Sequence, residues 1–213
     1  RHLADIGHGP QEEGEVARDR LGTLWRPHAV AILAEDVLIS GGELPLRRAV
    51  QRFSRTGQAL GHLRSCGDSE AEFGAPRGLW CDAEGILVAD TLFGRVQRFR
   101  PDGRFVASIA CGEPQRRARP VAVVRTADRR VLVIDAGDQP AVRAFATDGK
   151  PMPAGDLAAR IEHGVALTAD EQGRIYVLDR HGERVQRFHP DLTFDSVLVD
   201  LAEYIDGFAN PAP

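Results

Sequence analysis

Two histidines sit in matching surroundings. Pro27-His28-Ala29-Val30 and Glu162-His163-Gly164-Val165 read as copies of one short segment, and Pro76-Arg77-Gly78-Leu79 and Pro120-Val121-Ala122-Val123 read as two more. A neutral imidazole is a good zinc ligand, and a catalytic zinc takes three protein ligands and keeps a fourth position open. His28 and His163, with Arg77 in the corresponding place, are therefore the candidates for metal-assisted chemistry. The plainer reading is two histidines that line a wall or a loop. His2, His8, His62, His181 and His189 do not align with this slot. Three aspartates, Asp90, Asp135 and Asp179, each close an apolar run. Carboxylates at one repeat position are also metal-ligand material, but an aspartate ending a strand commonly accepts backbone N–H bonds in the turn that follows. That structural role is the one expected here. The chain contains no G-x-S-x-G elbow, no P-loop and no H-E-x-x-H.

These residues sit in repeating units, which are the elements that must position them. Arg95-Val96-Gln97-Arg98-Phe99 recurs as Arg184-Val185-Gln186-Arg187-Phe188, with Ala49-Val50-Gln51-Arg52-Phe53 before both and the weaker Ala141-Val142-Arg143-Ala144-Phe145 between them. A second marker runs ahead of each. Ile86-Leu87-Val88-Ala89-Asp90, Val131-Leu132-Val133-Ile134-Asp135 and Ile175-Tyr176-Val177-Leu178-Asp179 correspond, and Val37-Leu38-Ile39-Ser40 reads as the first copy with serine in place of aspartate. Turn tetrapeptides such as Asp82-Ala83-Glu84-Gly85 and Arg100-Pro101-Asp102-Gly103 separate the apolar runs. Each unit thus reads as four short strands, in the second unit near 77–82, 86–90, 94–100 and 104–110. No window shows a helical period. Four-stranded units of this length are the mark of propeller blades, which bury their faces only against neighbouring blades.

Composition bounds the rest. The chain has 213 residues, 43% of them hydrophobic and 27% charged, and a net charge of −4. It can bury a sizeable core. It has no apolar run of the length a membrane span requires. Lys150 is the only lysine, an arginine bias that suggests a GC-rich, bacterial coding genome. The mild acidity argues against a general nucleic-acid binder, and Arg116-Arg117-Ala118-Arg119 has no aromatic neighbour to stack a base. That cluster is expected to be a solvated loop. Cys66, Cys81 and Cys111 show no C-x-x-C spacing, and Cys66 and Cys111, at equivalent places in neighbouring units, are expected to be free thiols. Trp80, Phe99, Phe145 and Phe188 are expected in the core between blades.

The run from Pro76 to Asp90, followed by Gly94-Arg95-Val96-Gln97-Arg98-Phe99 and Pro101-Asp102-Gly103, resembles an NHL repeat. Four copies cover about 27–200, in units near 27–64, 76–111, 120–158 and 162–200. The first and third copies depart most, around Gly41–Arg48 and at Asp138-Gln139-Pro140. The resemblance implies an all-β propeller of four-stranded antiparallel blades, commonly six in the ring. Leu3-Ala4-Asp5-Ile6-Gly7 is similar to the last strand of a unit, so 1–9 is read as the end of a preceding blade. Gly207-Phe208-Ala209-Asn210-Pro211 is similar to a lead-in, so 201–213 is read as the approach to another blade or a tail. The expectation is part of a larger ring; a small ring closed by the terminal strands is the rival. Among proteins with this repeat, peptide-amidating lyases hold zinc through histidines at the Pro-His slot, with an arginine and a tyrosine nearby. The resemblance therefore implies two functions: a non-catalytic interaction or scaffold module in a larger assembly, expected here, and a channel-mouth lyase or hydrolase working through His28, Arg77 and His163. No cofactor is expected, with zinc or calcium as the metal alternative. Other protein chains are the expected partners. The covered sequence shows no signal peptide, and a cytoplasmic or particle-associated setting is expected.

Overall fold

A computed structural model describes residues 21–42, 49–63, 72–112, 117–180 and 183–200. Cys66, Arg116, His2, His8 and His181 lie outside the described residues, as do the two terminal segments read above as parts of further blades. The described residues form sixteen strands. They are β1 (Pro27–Leu33), β2 (Asp36–Gly41), β3 (Val50–Ser54), β4 (Ala59–His62), β5 (Pro76–Asp82), β6 (Gly85–Asp90), β7 (Arg95–Phe99), β8 (Phe105–Ala110), β9 (Pro120–Arg125), β10 (Val131–Asp135), β11 (Ala141–Phe145), β12 (Pro151–Met152), β13 (Gly164–Ala169), β14 (Ile175–Asp179), β15 (Arg184–Phe188) and β16 (Phe194–Asp200). Among the described residues a short helix, α1 (Asp156–Arg160), precedes β13 and buries Leu157.

Each run of four strands makes one antiparallel sheet in simple up-and-down order, β1 to β4, β5 to β8, β9 to β12 and β13 to β16. The first strands of successive sheets lie side by side, β1 against β5, β5 against β9 and β9 against β13. Sheets in this order, packed face to face around their first strands, are the blades of a β-propeller. Three apolar clusters fill the junctions. Leu38, Val50, Ile86 and Val88 join the first and second sheets. Leu87, Ala89, Val131 and Val133 join the second and third. Leu132, Ile134, Ile175 and Val177 join the third and fourth. This alternation is strand periodicity: neighbours along β6 or β10 point to opposite faces, and both faces are covered. Phe99, Phe145 and Phe188 are buried as expected, and Trp80 is half-buried with its indole N–H on the Asp82 carboxylate at 2.9 Å.

Turn chemistry sets the hairpins. Gly57, Gly103 and Gly149, between the third and fourth strands, have φ of 85°, 85° and 88°, a conformation other residues adopt at a cost. In the fourth sheet the same turn carries Leu192 at φ 72°, and its side chain is buried in the junction below. Packing there offsets the strain.

The aspartates hold the entry to each sheet. Asp90 accepts the N–H groups of Gly74 at 3.1 Å and Ala75 at 3.0 Å, with Arg95 Nε at 3.4 Å. Asp135 accepts from Arg119 N–H at 2.7 Å, Gly137 N–H at 2.9 Å and Arg143 Nε at 2.8 Å. Asp179 accepts from His163 N–H at 3.3 Å and pairs with Arg184 at 3.8 Å. All three are buried. The expectation of bonds to the following turn is thus corrected: except for Gly137 with Asp135, the backbone donors belong to the lead-in of the same sheet, and the arginines come from its third strand.

The first sheet is the informative departure. Ladder register pairs Pro27 with Gly41 where the second sheet pairs Pro76 with Asp90, so Gly41, and not Ser40, holds the aspartate position. Ser40 instead donates to the Arg77 carbonyl at 2.6 Å. A side chain at Gly41 would meet the Trp25 carbonyl at 2.9 Å, so the lead-in backbone fills the space the carboxylate takes elsewhere. Ala49 replaces the arginine of the second and fourth copies, so acid and base are lost together. In the third sheet, where Ala141 occupies the arginine position, Arg143 supplies the cation from two residues further on. A buried charge left without its partner is costly, and the copies change in concert accordingly. Asp90→Ala should therefore cost about 3–5 kcal/mol of stability, and adding Arg95→Ala should cost much less than the sum of the two single changes. Urea denaturation of the two single variants and the double variant reads this coupling directly; additive losses would show the pair to be unimportant.

Candidate functional site

The first strands of all four sheets enclose an open hollow of about 600 Å³. Its lining includes His28, Val30 and Ile32 from β1, Arg77 and Cys81 from β5, Val121 from β9 and Val165 from β13. The strands approach closely. A side chain at Gly78 would come within 2.7 Å of the Ala122 Cα, so only glycine fits that place, and alanines stand at the matching positions 29, 122 and 166.

All four strands break register at the same place. The ladder shifts between Pro27 and Ala29, between Pro76 and Leu79, between Pro120 and Ala122, and between Gly164 and Ala166. The extra residues are His28, Arg77, Val121 and Val165. A β-bulge bends its strand and re-aims the side chain of the extra residue. Four such residues, two basic and two aliphatic, therefore line the hollow from successive sheets. The strand markers alone did not expose this, because a bulge adds a residue without changing the apolar pattern around it.

The register also corrects one alignment. Gly164 pairs with Asp179 as Pro76 does with Asp90, so Val165 takes the slot that His28 and Arg77 hold. His163 matches Ala75 and Arg119, and its N–H reaches Asp179 as theirs reach Asp90 and Asp135. The fourth unit has no proline to mark its start, and the alignment of the bare sequence slipped by one residue. His163 lines a second hollow with Pro140, Arg180 and Glu183, which shares Val165 with the first. His28 and Arg77 thus share a cavity, and His163 does not line it.

The donor set follows. Among the described residues the lining offers one imidazole, one guanidinium, one thiol, one hydroxyl (Thr168) and the Trp80 indole. Arg77 is half-buried, and its Nε is shielded from solvent without a hydrogen-bond partner. Burial, reinforced by the adjacent Asp82 carboxylate, pushes the Cys81 thiol up to about 12. A zinc centre with three protein ligands is not assembled by this lining alone. What the hollow can do is take an apolar body against Val30, Ile32, Val121 and Val165 and an anionic group at His28 and Arg77.

A further residue class emerged only from the structure. The repeated glutamine of the third strand ties the lead-in of the first, second and fourth sheets: Gln51 donates to the Thr23 carbonyl at 2.7 Å, Gln97 to the Glu72 carbonyl and Gln186 to the Arg160 carbonyl at 3.4 Å; the third sheet has Arg143 at that position. The repeat displayed these residues, but nothing in it assigned the bond.

Comparison of the sequence with family models and with curated proteins gives no match. Solved structures share the fold. The nidogen/laminin complex aligns at 15% identity and a TM-score of 0.60, over 82% of this chain and 64% of that one. A streptogramin B lyase aligns at 14% and 0.56, over 82% and 55%. The virginiamycin B lyase of Staphylococcus aureus aligns at 12% and 0.55, over 79% and 54%. The chain spans between about half and two thirds of the length of these structures. The likeness is one of fold and places this chain among the β-propellers.

The thiols give a direct test of burial. Burial, together with the Asp135 carboxylate, also raises Cys111 to about 12. At pH 8 each thiolate fraction falls to about 10⁻⁴. Native iodoacetamide labelling at pH 8 with peptide mapping should leave Cys81 and Cys111 unmodified, and urea should expose both. Because both values are raised in the folded state, their contribution to stability is intact below the ordinary thiol range and is lost as pH climbs towards 12.

Proposed function

We propose that this chain is a non-catalytic interaction propeller that receives a protein segment in the hollow of its first strands. The observation that carries the reading is the bulged set itself, with His28 and Arg77 beside Val121 and Val165. A segment with an acidic group set between apolar side chains matches it in charge and in character. The unpaired Arg77 Nε supports an anionic occupant, since a shielded donor gains most from an acceptor. The resemblance to NHL repeats and the presence of a protein complex among the fold neighbours agree with this reading. A larger bacterial assembly and further blades in the ring remain part of it.

A second reading has its own support. His28 occupies a bulged slot in a propeller whose fold neighbours include two lyases. On that reading the site would be metal-dependent, with His28 as a ligand and Arg77 beside the substrate.

Two measurements separate the readings. Chemical cross-linking in extract of the native cell, quantified by mass spectrometry, should enrich a partner that falls at least about tenfold with Arg77→Ala or Val121→Asp. The outer-strand change Val106→Asp should not reduce it. A partner lost equally with the outer-strand control would sink the hollow as the binding site. Metal analysis of the purified protein tests the alternative: stoichiometric zinc lost in His28→Ala and kept in His163→Ala would favour the enzyme.

A further inference from the structure

Two columns of residues mark the start of the innermost strands. One is the bulged slot, with His28, Arg77, Val121 and Val165 in the four sheets. The other is the residue just before each first strand: Arg26, Ala75, Arg119 and His163. The columns complement each other. Where the bulge is valine, in the third and fourth sheets, the lead-in residue is basic. Where the lead-in residue is alanine, in the second sheet, the bulge is arginine. The first sheet is basic in both. Five of these eight positions are thus basic and none is acidic, in a chain whose 31 acidic residues outnumber its 27 lysines and arginines.

These bases sit on fixed backbone. The N–H groups of Arg119 and His163 are held by Asp135 at 2.7 Å and by Asp179 at 3.3 Å. Arg26, His28, Arg119 and His163 are exposed, and Arg77 is half-buried. Side chains carried this way meet a ligand without first ordering the chain beneath them.

We propose that this crown of bases takes an acidic segment of another protein, with carboxylates on the bases and apolar side chains on Val121 and Val165. The proposal rests on the reading of the hollow as a receptor for a protein segment. It adds the chemistry of that segment, a run of several acids where the hollow alone calls for one. Charge complementarity selects the occupant. The guanidinium groups of Arg26, Arg77 and Arg119 stay charged at any working pH, and their planar forks match carboxylates. A nucleic acid is the poorer fit, because none of the eight positions is aromatic and no ring among them stacks a base. Glu183 works against an acid, since it shares the second hollow with His163 and Arg180.

The probe is a fluorescein-labelled peptide of alternating aspartate and valine, followed by anisotropy on the purified protein. It should bind at low salt and weaken as salt is raised, and a version with asparagine for aspartate should bind far less. Arg26→Ala, Arg77→Ala and Arg119→Ala should each weaken it about two- to fivefold, and the triple variant about tenfold or more. Arg104→Ala, an exposed arginine between β7 and β8, should change nothing. Glu183→Gln should tighten the peptide about twofold, a gain that damage to the fold does not produce. Absence of binding at low salt, or equal binding of the asparagine version, would overturn the crown. A loss confined to Arg77→Ala would also overturn it, while leaving the single-anion reading of the hollow in place. Oligouridylate bound as tightly as the peptide would overturn the choice of a protein segment. The partner enriched by cross-linking decides the hollow independently.

Discussion

A buried carboxylate is tolerated only when donors surround it, and Asp90, Asp135 and Asp179 find theirs in the segment that leads into their own sheet. The bond joins the end of the second strand to the start of the first. It therefore fixes where each innermost strand begins and which residue enters the hollow. Arg95, Arg143 and Arg184 balance the charge from the third strand. In the first sheet the acid and the base are both missing, and the lead-in backbone closes on Gly41. One requirement, that the lead-in be held, is met by two different constructions.

The sequence was most legible where its period and its burial pattern coincide. Apolar runs ending in aspartate, with the Val-Gln-Arg-Phe motif behind them, mark the second and third strands of the second and fourth sheets, and turn glycines mark the hairpins of the first three. Legibility failed where one residue is added or removed without a change of type. Ser40 looked like the aspartate equivalent because it ends an apolar run, yet the ladder gives that place to Gly41. His163 looked like the partner of His28 because both are histidines near a unit start, yet Val165 occupies the slot. Leu192 hid a left-handed turn because glycine is the residue a reader expects there. Side chains whose role is a single bond to a carbonyl, as with Gln97, carry no pattern that announces the bond.

The hollow differs in kind from the rest of the interior. The junctions between sheets are buried, apolar and repetitive, and they tolerate little change of volume. The hollow is lined by the same strands but leaves Val30 and Ile32 open. Among the described lining residues its imidazole and guanidinium, His28 and Arg77, come from two adjacent sheets, so its charge is lopsided, and an occupant would be oriented as well as held.

The bulges give those four positions an unusual freedom. His28, Arg77, Val121 and Val165 are the residues added to their ladders, so exchanging one for another type leaves the strand pairing on either side in register. Their identities already span imidazole, guanidinium and isopropyl on an otherwise constant frame. The set thus behaves as four separable letters written on one scaffold, and lineages carrying this fold could respell them one substitution at a time without refolding the sheets beneath.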